Sequence, residues 1–179
     1  MMFEAQTEWI APDNFPDLSG YKLISIDLET RDPDLKSKGS GAVVGNGEII
    51  GVAVAVDGWC KYYPFGHEGG GNLDKKKILS WLTDVCATEA TKIFHNAMYD
   101  VCWLRSYGIK VNGHIMDTMV MASLVDENRM RYTLNALSWE YLGERKSETT
   151  LFEIAKNWGI DPKAELYKLP AIYVGEYAE

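Results

Sequence analysis

The sequence predicts an α/β fold in which a mixed sheet is flanked by helices. Three β-rich segments lead the chain, helical and strand segments then alternate, and the last third is helical, an order typical of layered α/β domains. Residues 21–28, 49–56 and 60–65 are predicted to form the leading strands, because β-branched and aromatic residues cluster there. Asp57-Gly58, between the second and third of these segments, is a strong hairpin signal.

Helical spacing and capping residues place the elements in the middle of the chain. Apolar residues recur at helical spacing over 73–87, and residues 91–94 are predicted to form a short buried strand. Asn96 is expected to cap the helix that follows, and Gly108 is expected to end it.

The C-terminal part of the chain is predicted to contain one more strand and then only helices. Polar residues suited to capping precede the apolar helical segments. The predicted elements are a strand at 115–116, a helix over 119–125 capped by Asp117, a helix over 134–142 capped by Thr133, and further helices up to residue 179.

Residues 1–20 are predicted to be an N-terminal arm, and residues 21–179 a single domain. Pro12 and Pro16 break any periodicity in the arm. The glycine-rich segment 39–47 is expected to be a flexible loop. It does not match a dinucleotide-binding motif, because it leads into a strand where a phosphate-binding helix would have to begin.

Composition and charge exclude several classes of protein. No apolar run approaches the roughly 20 residues that span a bilayer, so no membrane partner is expected. The 3 cysteines form no CxxC pair, and one of them stays unpaired whatever the pairing, which argues for a reducing compartment and against a thiolate zinc site. The formal net charge of −8 disfavours a broad phosphate-binding face. It is compatible with an enzyme that binds only the end of a nucleic-acid strand through metal ions.

Asp27-Leu28-Glu29, at the end of the first predicted strand, is the strongest candidate for a metal site. Residues i and i+2 of a strand project to the same side, so both carboxylates face one point while Leu28 turns back into the protein. Paired carboxylates suit Mg²⁺ or Mn²⁺. The alternative is a chance acidic triplet, because the chain has 26 acidic residues.

A second cluster, His95-Asn96-Ala97-Met98-Tyr99-Asp100, follows a predicted strand and opens a helix. Asp100 is placed in the first helical turn. A structural role alone would also explain this pattern, because Asn is a good N-cap and an acid in the first turn is favoured by the helix dipole.

Taken together, Ile-Asp-Leu-Glu-Thr at 26–30, the cluster at 95–100 and Met-Asp-Thr-Met at 116–119 resemble motifs of the DEDD exonucleases. The resemblance is to the 3′-to-5′ proofreading domain of family A DNA polymerases, particularly those of bacteriophages, and it covers residues from about 20 to 179. It implies an RNase H-like (DnaQ-like exonuclease) fold.

The resemblance also implies roles for individual residues. In that family four acids hold two divalent ions, Mg²⁺ or Mn²⁺. Asp27 matches the acid that bridges both ions, Glu29 a ligand of the first ion and Asp100 a ligand of the second. The residues expected to contact substrate are Leu28, Thr30 and Asn96, although Thr30 is equally well explained as a strand-end hydroxyl. His95 is expected to hold a loop by hydrogen bonding, and Asp117 to cap a helix.

The third motif of that family is Tyr-x-x-x-Asp on a C-terminal helix. Tyr177 matches the tyrosine, which would orient the attacking water or help to deprotonate it, and the matching acid would fall two residues beyond Glu179. Glu179 is a poor substitute, because two residues correspond to about 200° around a helix. The alternative is that Tyr177 is a core aromatic residue of a terminal helix.

The expected function is metal-dependent hydrolysis of the terminal phosphodiester of single-stranded DNA, releasing 5′-mononucleotides. Activity is expected to be impaired in this chain, because one of the four acids is missing. Two alternatives stay open, namely a catalytically silent nucleic-acid-binding or docking domain and an exoribonuclease of the same superfamily. The expected partners are a single-stranded DNA 3′ end and a polymerase domain, in cis or in trans, in the cytoplasm of a bacterial host if a phage encodes the protein.

Overall fold

A five-stranded mixed sheet, ordered β3-β2-β1-β4-β5, forms the centre of the protein. The computed structural model describes residues 7–144 and 148–179. β1 lies in the middle, antiparallel to β2 and parallel to β4, and β5 extends the parallel part. The strands are β1 (Leu23–Arg31), β2 (Glu48–Val56), β3 (Trp59–Pro64), β4 (Thr91–Phe94) and β5 (Ile115–Asp117).

Helices cover both faces of the sheet, and two single 3₁₀ turns, Leu166–Lys168 and Ala171–Tyr173, lie near the C-terminus. Among the described residues, no helix is long and apolar enough to cross a membrane. The helices are α1 (Leu35–Lys38), α2 (Gly41–Val44), α3 (Lys75–Ala87), α4 (Ala97–Ser106), α5 (Thr118–Val125), α6 (Leu134–Leu142), α7 (Thr149–Trp158) and α8 (Gly175–Ala178).

The period-2 pattern of β1 decides which face of the sheet is buried and which carries the site. Ile24, Ile26 and Leu28 are buried on one face, in the main core shared with α3 and α4. Asp27 and Glu29 project to the other face. On that face the C-terminal segments pack against β2 and β3 around a smaller second core, whose buried members are Ile50, Ala53, Tyr62, Leu151, Ile154, Leu166, Leu169, Val174 and Ala178.

Several predicted local structures are confirmed. Asp57-Gly58 is the two-residue loop between β2 and β3, and Gly58 has the positive φ of +73° that such a turn needs. Thr133 accepts a hydrogen bond from the amide of Ala136 at the start of α6. Asp117 accepts hydrogen bonds from the amides at the start of α5.

Other predictions need correction. β1 continues to Arg31 rather than ending at residue 28, because β2 pairs with it as far as Arg31 opposite Glu48. The glycine-rich segment 39–47 is not entirely a loop, since it contains α2. The amide of Gly41 at the start of that helix donates to both carboxylate oxygens of Asp32, at 3.0 and 3.1 Å.

The predicted capping role of Asn96 is wrong. Asn96 has a left-handed backbone, with φ of 70°, and its side chain makes no capping hydrogen bond to α4. Instead, Asp117 accepts hydrogen bonds from the amides of Asn96 and Ala97, at 3.0 and 2.8 Å. Asp117 therefore stabilises the N-terminal ends of two helices at once.

The first six residues of the predicted arm lie outside the described residues, and residues 7–20 form no helix or strand. Leu18 is nevertheless buried in the main core. Trp9 packs at the edge of the second core, and its indole nitrogen donates to the carboxylate of Glu179 at 2.8 Å. This segment is thus packed against the domain at both of its ends.

Candidate active site

Asp27 and Glu29 lie on the face of β1 that is turned away from the main core. Their partners on β2 are small, since Asp27 pairs with Ala53 and Glu29 with Gly51. A Cβ atom at Gly51 would lie 2.1 Å from the hydroxyl of Tyr62, so only glycine fits beneath this ring. Gly51 thus makes room for the Tyr62 hydroxyl beside the two carboxylates.

Asp100 reaches the same place from α4. It lies in the first turn of that helix and is 4% exposed. Its Oδ1 accepts a hydrogen bond from the backbone amide of Leu28 at 3.0 Å. Because Leu28 lies between Asp27 and Glu29, this bond holds the carboxylate of Asp100 next to the acidic pair.

A cavity of about 260 Å³ joins these groups with the C-terminal segment. It includes six of the seven residues predicted for the site, whereas Thr30 is not part of its lining. The lining residues are Asp27, Leu28, Glu29, His95, Asn96, Tyr99, Asp100, Leu134 and Tyr177.

Acidic side chains lie close together in this cavity, and their charges shift the pKa values of their neighbours. Burial raises the pKa of Asp100 to about 8, and the neighbouring carboxylate of Asp27 adds to this effect. Burial also raises the pKa of Tyr177 far above its usual range, and the charges of Glu29 and Asp27 contribute. Each shift reports a local excess of negative charge in a poorly solvated place.

The donor chemistry of this cavity fits a hard divalent cation. Mg²⁺ and Mn²⁺ prefer carboxylate oxygens, and Asp27, Glu29 and Asp100 supply three carboxylates around one space. Residues 7–144 and 148–179 hold no group of three or more His, Cys, Asp or Glu side chains already arranged to hold a metal ion. A bound ion would therefore have to draw the carboxylates together or take further ligands from water and substrate.

Thr30 takes part in a hydrogen-bond chain that sequence reasoning missed. Its hydroxyl lies 2.6 Å from the hydroxyl of Tyr99, which donates to Asp32 at 3.0 Å. Since the single proton of the Tyr99 hydroxyl goes to Asp32, Thr30 must donate its own proton to Tyr99. Thr30 is then left as a hydrogen-bond acceptor towards any substrate group.

Tyr99 lies next to Asp100 in the second motif, so its position there was a signal that could have been used. Asp32 carried no signal, because its role depends on α4 packing against the loop after β1. The side chain of Leu28 lies mostly in the main core at 6% exposure, and its clear contribution to the site is the amide that binds Asp100.

His95 holds the loop before α4, as predicted. Its ring Nδ1 lies 2.9 Å from the hydroxyl of Thr118 at the start of α5. Together with the bonds of Asp117 to the amides of Asn96 and Ala97, this contact fixes the position of the loop relative to β5.

Glu179 does not stand in for a fourth acid. Its carboxylate accepts hydrogen bonds from the indole of Trp9 at 2.8 Å and from the amide of Tyr62 at 3.1 Å, and it pairs with Lys61 at 3.4 Å. Through these contacts the carboxylate of Glu179 connects the end of α8 to β3 and to residues 7–20.

The fold and the site together define the class of protein. A mixed sheet in this order, with helices on both faces, is an RNase H-like nuclease fold. Two solved structures share it: Brucella melitensis NrnC with bound Mg²⁺ (TM-score 0.54, 17% identity, 78% of this chain and 60% of that chain) and the EXO domain of Aedes aegypti Nibbler (TM-score 0.55, 14% identity, 83% and 73%).

Residues 5–178 match the 3′-5′ exonuclease family of family A DNA polymerases, and the chain belongs to this family. It is 36% identical over 180 residues to a DNA-directed DNA polymerase of Pseudomonas phage M6, across 97% of this chain and 27% of that protein. It is 30% identical over 150 residues to DNA polymerase DpoZ of Salmonella phage PMBT28, across 81% and 21%. The chain thus spans about a quarter of the length of these relatives, and the resemblance found in the motifs is confirmed.

Proposed function

We propose that this chain is a metal-dependent 3′-to-5′ exonuclease domain that hydrolyses the terminal phosphodiester of single-stranded DNA and releases 5′-mononucleotides. The observation that carries the proposal is the convergence of Asp27, Glu29 and Asp100 on one cavity, with Asp100 bonded to the amide between the other two. Membership of the exonuclease family supports it.

Asp27, Glu29 and Asp100 are the residues that would hold Mg²⁺ or Mn²⁺. Bound ions would lower the pKa of an attacking water and neutralise the charge that develops on the leaving 3′ oxygen. Asp100 must be ionised to serve as a ligand, although its pKa of about 8 in the metal-free protein favours the protonated form at pH 7. Metal binding should therefore release a proton from this group.

Tyr177 is proposed to orient the attacking water. Burial and the charges of Glu29 and Asp27 raise the pKa of its phenol, so the hydroxyl stays protonated at neutral pH. A protonated phenol can accept from and donate to a water molecule, but it is not a phenolate base. Of the two roles that the motif suggested, this one agrees better with the surroundings of the side chain.

A single strand is the proposed substrate, because unpaired terminal bases can enter a narrow cleft and contact aromatic or apolar side chains. Asn96 and Leu134 line the cavity and would contact the terminal nucleotide. The relatives named above are phage DNA polymerases, so we place this chain beside a polymerase domain, in cis or in trans, in the cytoplasm of a bacterial host.

A polypeptide of these 179 residues is proposed to have weak activity. It carries three of the four acids that the family implies, and the carboxylate of Glu179 is engaged elsewhere. A longer polypeptide that places an aspartate four residues after Tyr177 should digest DNA faster, since spacing of four brings both groups to one helix face.

The test is digestion of a 5′-labelled single strand in Mg²⁺ or Mn²⁺, with Asp27→Asn, Glu29→Gln and the control Asp84→Asn, which changes charge by the same amount at an exposed position on α3. We expect slow shortening from the 3′ end by the wild type and the control, and none by the two site variants. Equal digestion by all four proteins would refute the assignment.

A catalytically silent binding domain is the second candidate, and it is favoured by the lack of a ready-made group of three metal ligands in the described residues. Strand binding that is independent of metal and survives Asp27→Ala and Glu29→Ala would support it. An exoribonuclease is the third, because Escherichia coli RNase D, an exoribonuclease, shares the fold (TM-score 0.50, 14% identity, 74% of this chain and 31% of that chain). Digestion of matched DNA and RNA strands would distinguish it.

A further inference from the structure

The face of the sheet that carries the acidic pair continues beyond it to a cation and an aromatic ring. Alternation along β1 places Arg31 on the same face as Asp27 and Glu29, about 7 Å past Glu29. The irregular pairing near this point lies on β2, where Ile50 is the additional residue, so the alternation of β1 is not interrupted. Arg31 is therefore the next outward-facing residue after the acids.

The guanidinium of Arg31 lies over the ring of Tyr167, with 4.9 Å between its Cζ and the ring centroid. The ammonium of Lys168 lies 5.9 Å from the same centroid. A ring with cations over it is a typical contact surface for a single nucleic-acid strand, because bases stack on the ring and phosphates bind the cations.

Arg31 has unused donors. Its Nε is buried without a hydrogen-bond partner, and its ion pair with Glu48, at 3.7 Å, is too long for a hydrogen bond. Within the described ranges, 7–144 and 148–179, the guanidinium donates no hydrogen bond to the protein. An arginine that presents a planar fork of donors matches the geometry of a phosphate group.

Glu48 competes for this arginine, but only weakly. The side chains of Arg31 and Glu48 are 43% and 40% exposed, and ion pairs at such positions contribute little because water screens them. A phosphate that binds Arg31 in a two-point geometry would replace one long contact by two short hydrogen bonds.

The backbone of Tyr167 is anchored to the loop after β3, which fixes the place from which its ring projects. Its carbonyl accepts from the amide of Glu68 at 2.8 Å, and the amide of Ala171 donates to the carbonyl of Gly70 at 3.0 Å. The ring of His67, buried among these residues, donates from Nδ1 to the carbonyl of Leu169 at 3.0 Å. These bonds fix the turn that carries Tyr167 to the loop after β3.

We propose that Arg31, Tyr167 and Lys168 form a subsite for the phosphodiester backbone of the DNA strand, adjacent to the nucleotide that is removed. Arg31 binds a phosphate, and Tyr167 supports the guanidinium and offers its ring to a base. Lys168, whose ammonium also pairs with Glu165, adds a second positive charge near the ring. The subsite rests on the proposed function, since it extends the path of the same substrate.

The test is binding of a 5′-fluorescein oligothymidylate by fluorescence anisotropy in EDTA, over a series of salt concentrations. The variants are Arg31→Ala, Arg31→Lys, Tyr167→Leu and Tyr167→Phe. The matched control is Lys110→Ala, which removes one positive charge from an exposed position in the loop between α4 and β5. Circular dichroism melting checks that each variant is folded, and Arg31→Lys keeps the test valid if Arg31→Ala does not fold.

Arg31→Ala should weaken binding at least about tenfold, because it removes both charge-assisted hydrogen bonds to the phosphate. The plot of the logarithm of the association constant against the logarithm of salt concentration should become less steep by about 0.7, the value for one phosphate contact to a single strand. Arg31→Lys should keep the slope and lose part of the affinity, Tyr167→Leu should weaken binding several-fold, and Tyr167→Phe and Lys110→Ala should bind like the wild type.

Two failures are distinguishable. If the wild type binds the strand and Arg31→Ala binds it equally well with the same salt slope, the subsite is wrong and the exonuclease assignment is untouched. If the wild type shows no binding in EDTA at any salt concentration, the subsite is wrong. The proposed function is then decided separately, by digestion in Mg²⁺ or Mn²⁺ with Asp27→Asn and Glu29→Gln, because the bound ions would hold the strand end in that assay.

Discussion

Replacing Asp100 by Asn should stabilise the metal-free protein, although it removes a proposed metal ligand. Asp100 is 4% exposed and lies against the acidic pair of β1, and these surroundings raise its pKa from 3.8 to about 8. The amide oxygen of an introduced Asn can accept the same hydrogen bond from Leu28, but the amide never has to ionise.

The size of the effect follows from proton linkage. Between pH 4 and pH 8 the folded protein keeps a proton on Asp100 that the unfolded chain has lost. The free energy of unfolding therefore falls as pH rises through this range. A shift of one pKa unit corresponds to about 1.4 kcal/mol. Asp100→Asn should therefore be more stable than the wild type by about 4 kcal/mol at pH 7. At pH 4 the two proteins should differ by almost nothing.

The assay is urea unfolding in EDTA at several pH values, with Asp84→Asn as a control for the same carboxyl-to-amide change at an exposed position. Addition of Mn²⁺ should reverse the order, since the wild type then gains a ligand that the variant lacks. An Asp100→Asn protein that is no more stable than the wild type at pH 7 in EDTA would show that Asp100 is not held in a crowded anionic cavity.

Three further substitutions test how the site is supported. Gly51→Ala should cost about 1 to 3 kcal/mol in urea unfolding, because the new methyl group overlaps the Tyr62 hydroxyl, whereas Gly58→Asn in the hairpin turn should be tolerated. Burial lowers the pKa of His67 to about 4, so the unfolded chain takes up a proton at a higher pH than the folded protein does. The free energy of unfolding should therefore drop by about 3 kcal/mol as pH falls from 6.5 to 4. His67→Gln, measured in the same titration, should lose this pH dependence. Asp117→Ala should lower the melting temperature more than Thr133→Ala does, because Asp117 caps two helices and Thr133 one, and an equal effect of the two would argue against the double cap.

The strands and most helix starts could be predicted because their causes are local. Alternation along β1, the Asp57-Gly58 turn and the caps at Asp117 and Thr133 each depend on a few neighbouring residues. The same local information brought Asp27 and Glu29 to one face of the sheet. Asp100 could be added only by the resemblance, because its partner Leu28 is distant in sequence.

The features that were missed depend on tertiary contacts. Asn96 looked like a cap, but the loop before α4 passes close to Asp117, whose carboxylate takes over that role and allows Asn96 a left-handed backbone. The chain from Thr30 through Tyr99 to Asp32 forms only when α4 packs against the end of β1. Neither contact leaves a periodic pattern in the sequence.

Calorimetric titration with Mn²⁺ tests most directly whether the carboxylate cavity is a metal centre. We expect the wild type and the control Asp84→Asn to bind Mn²⁺ with release of a proton at pH 7, Asp27→Asn and Glu29→Gln to lose most of the affinity, and Asp100→Asn to bind weakly without proton release. Absence of binding by the wild type, or equal binding by all five proteins, would contradict the assignment of Asp27, Glu29 and Asp100 as the metal ligands.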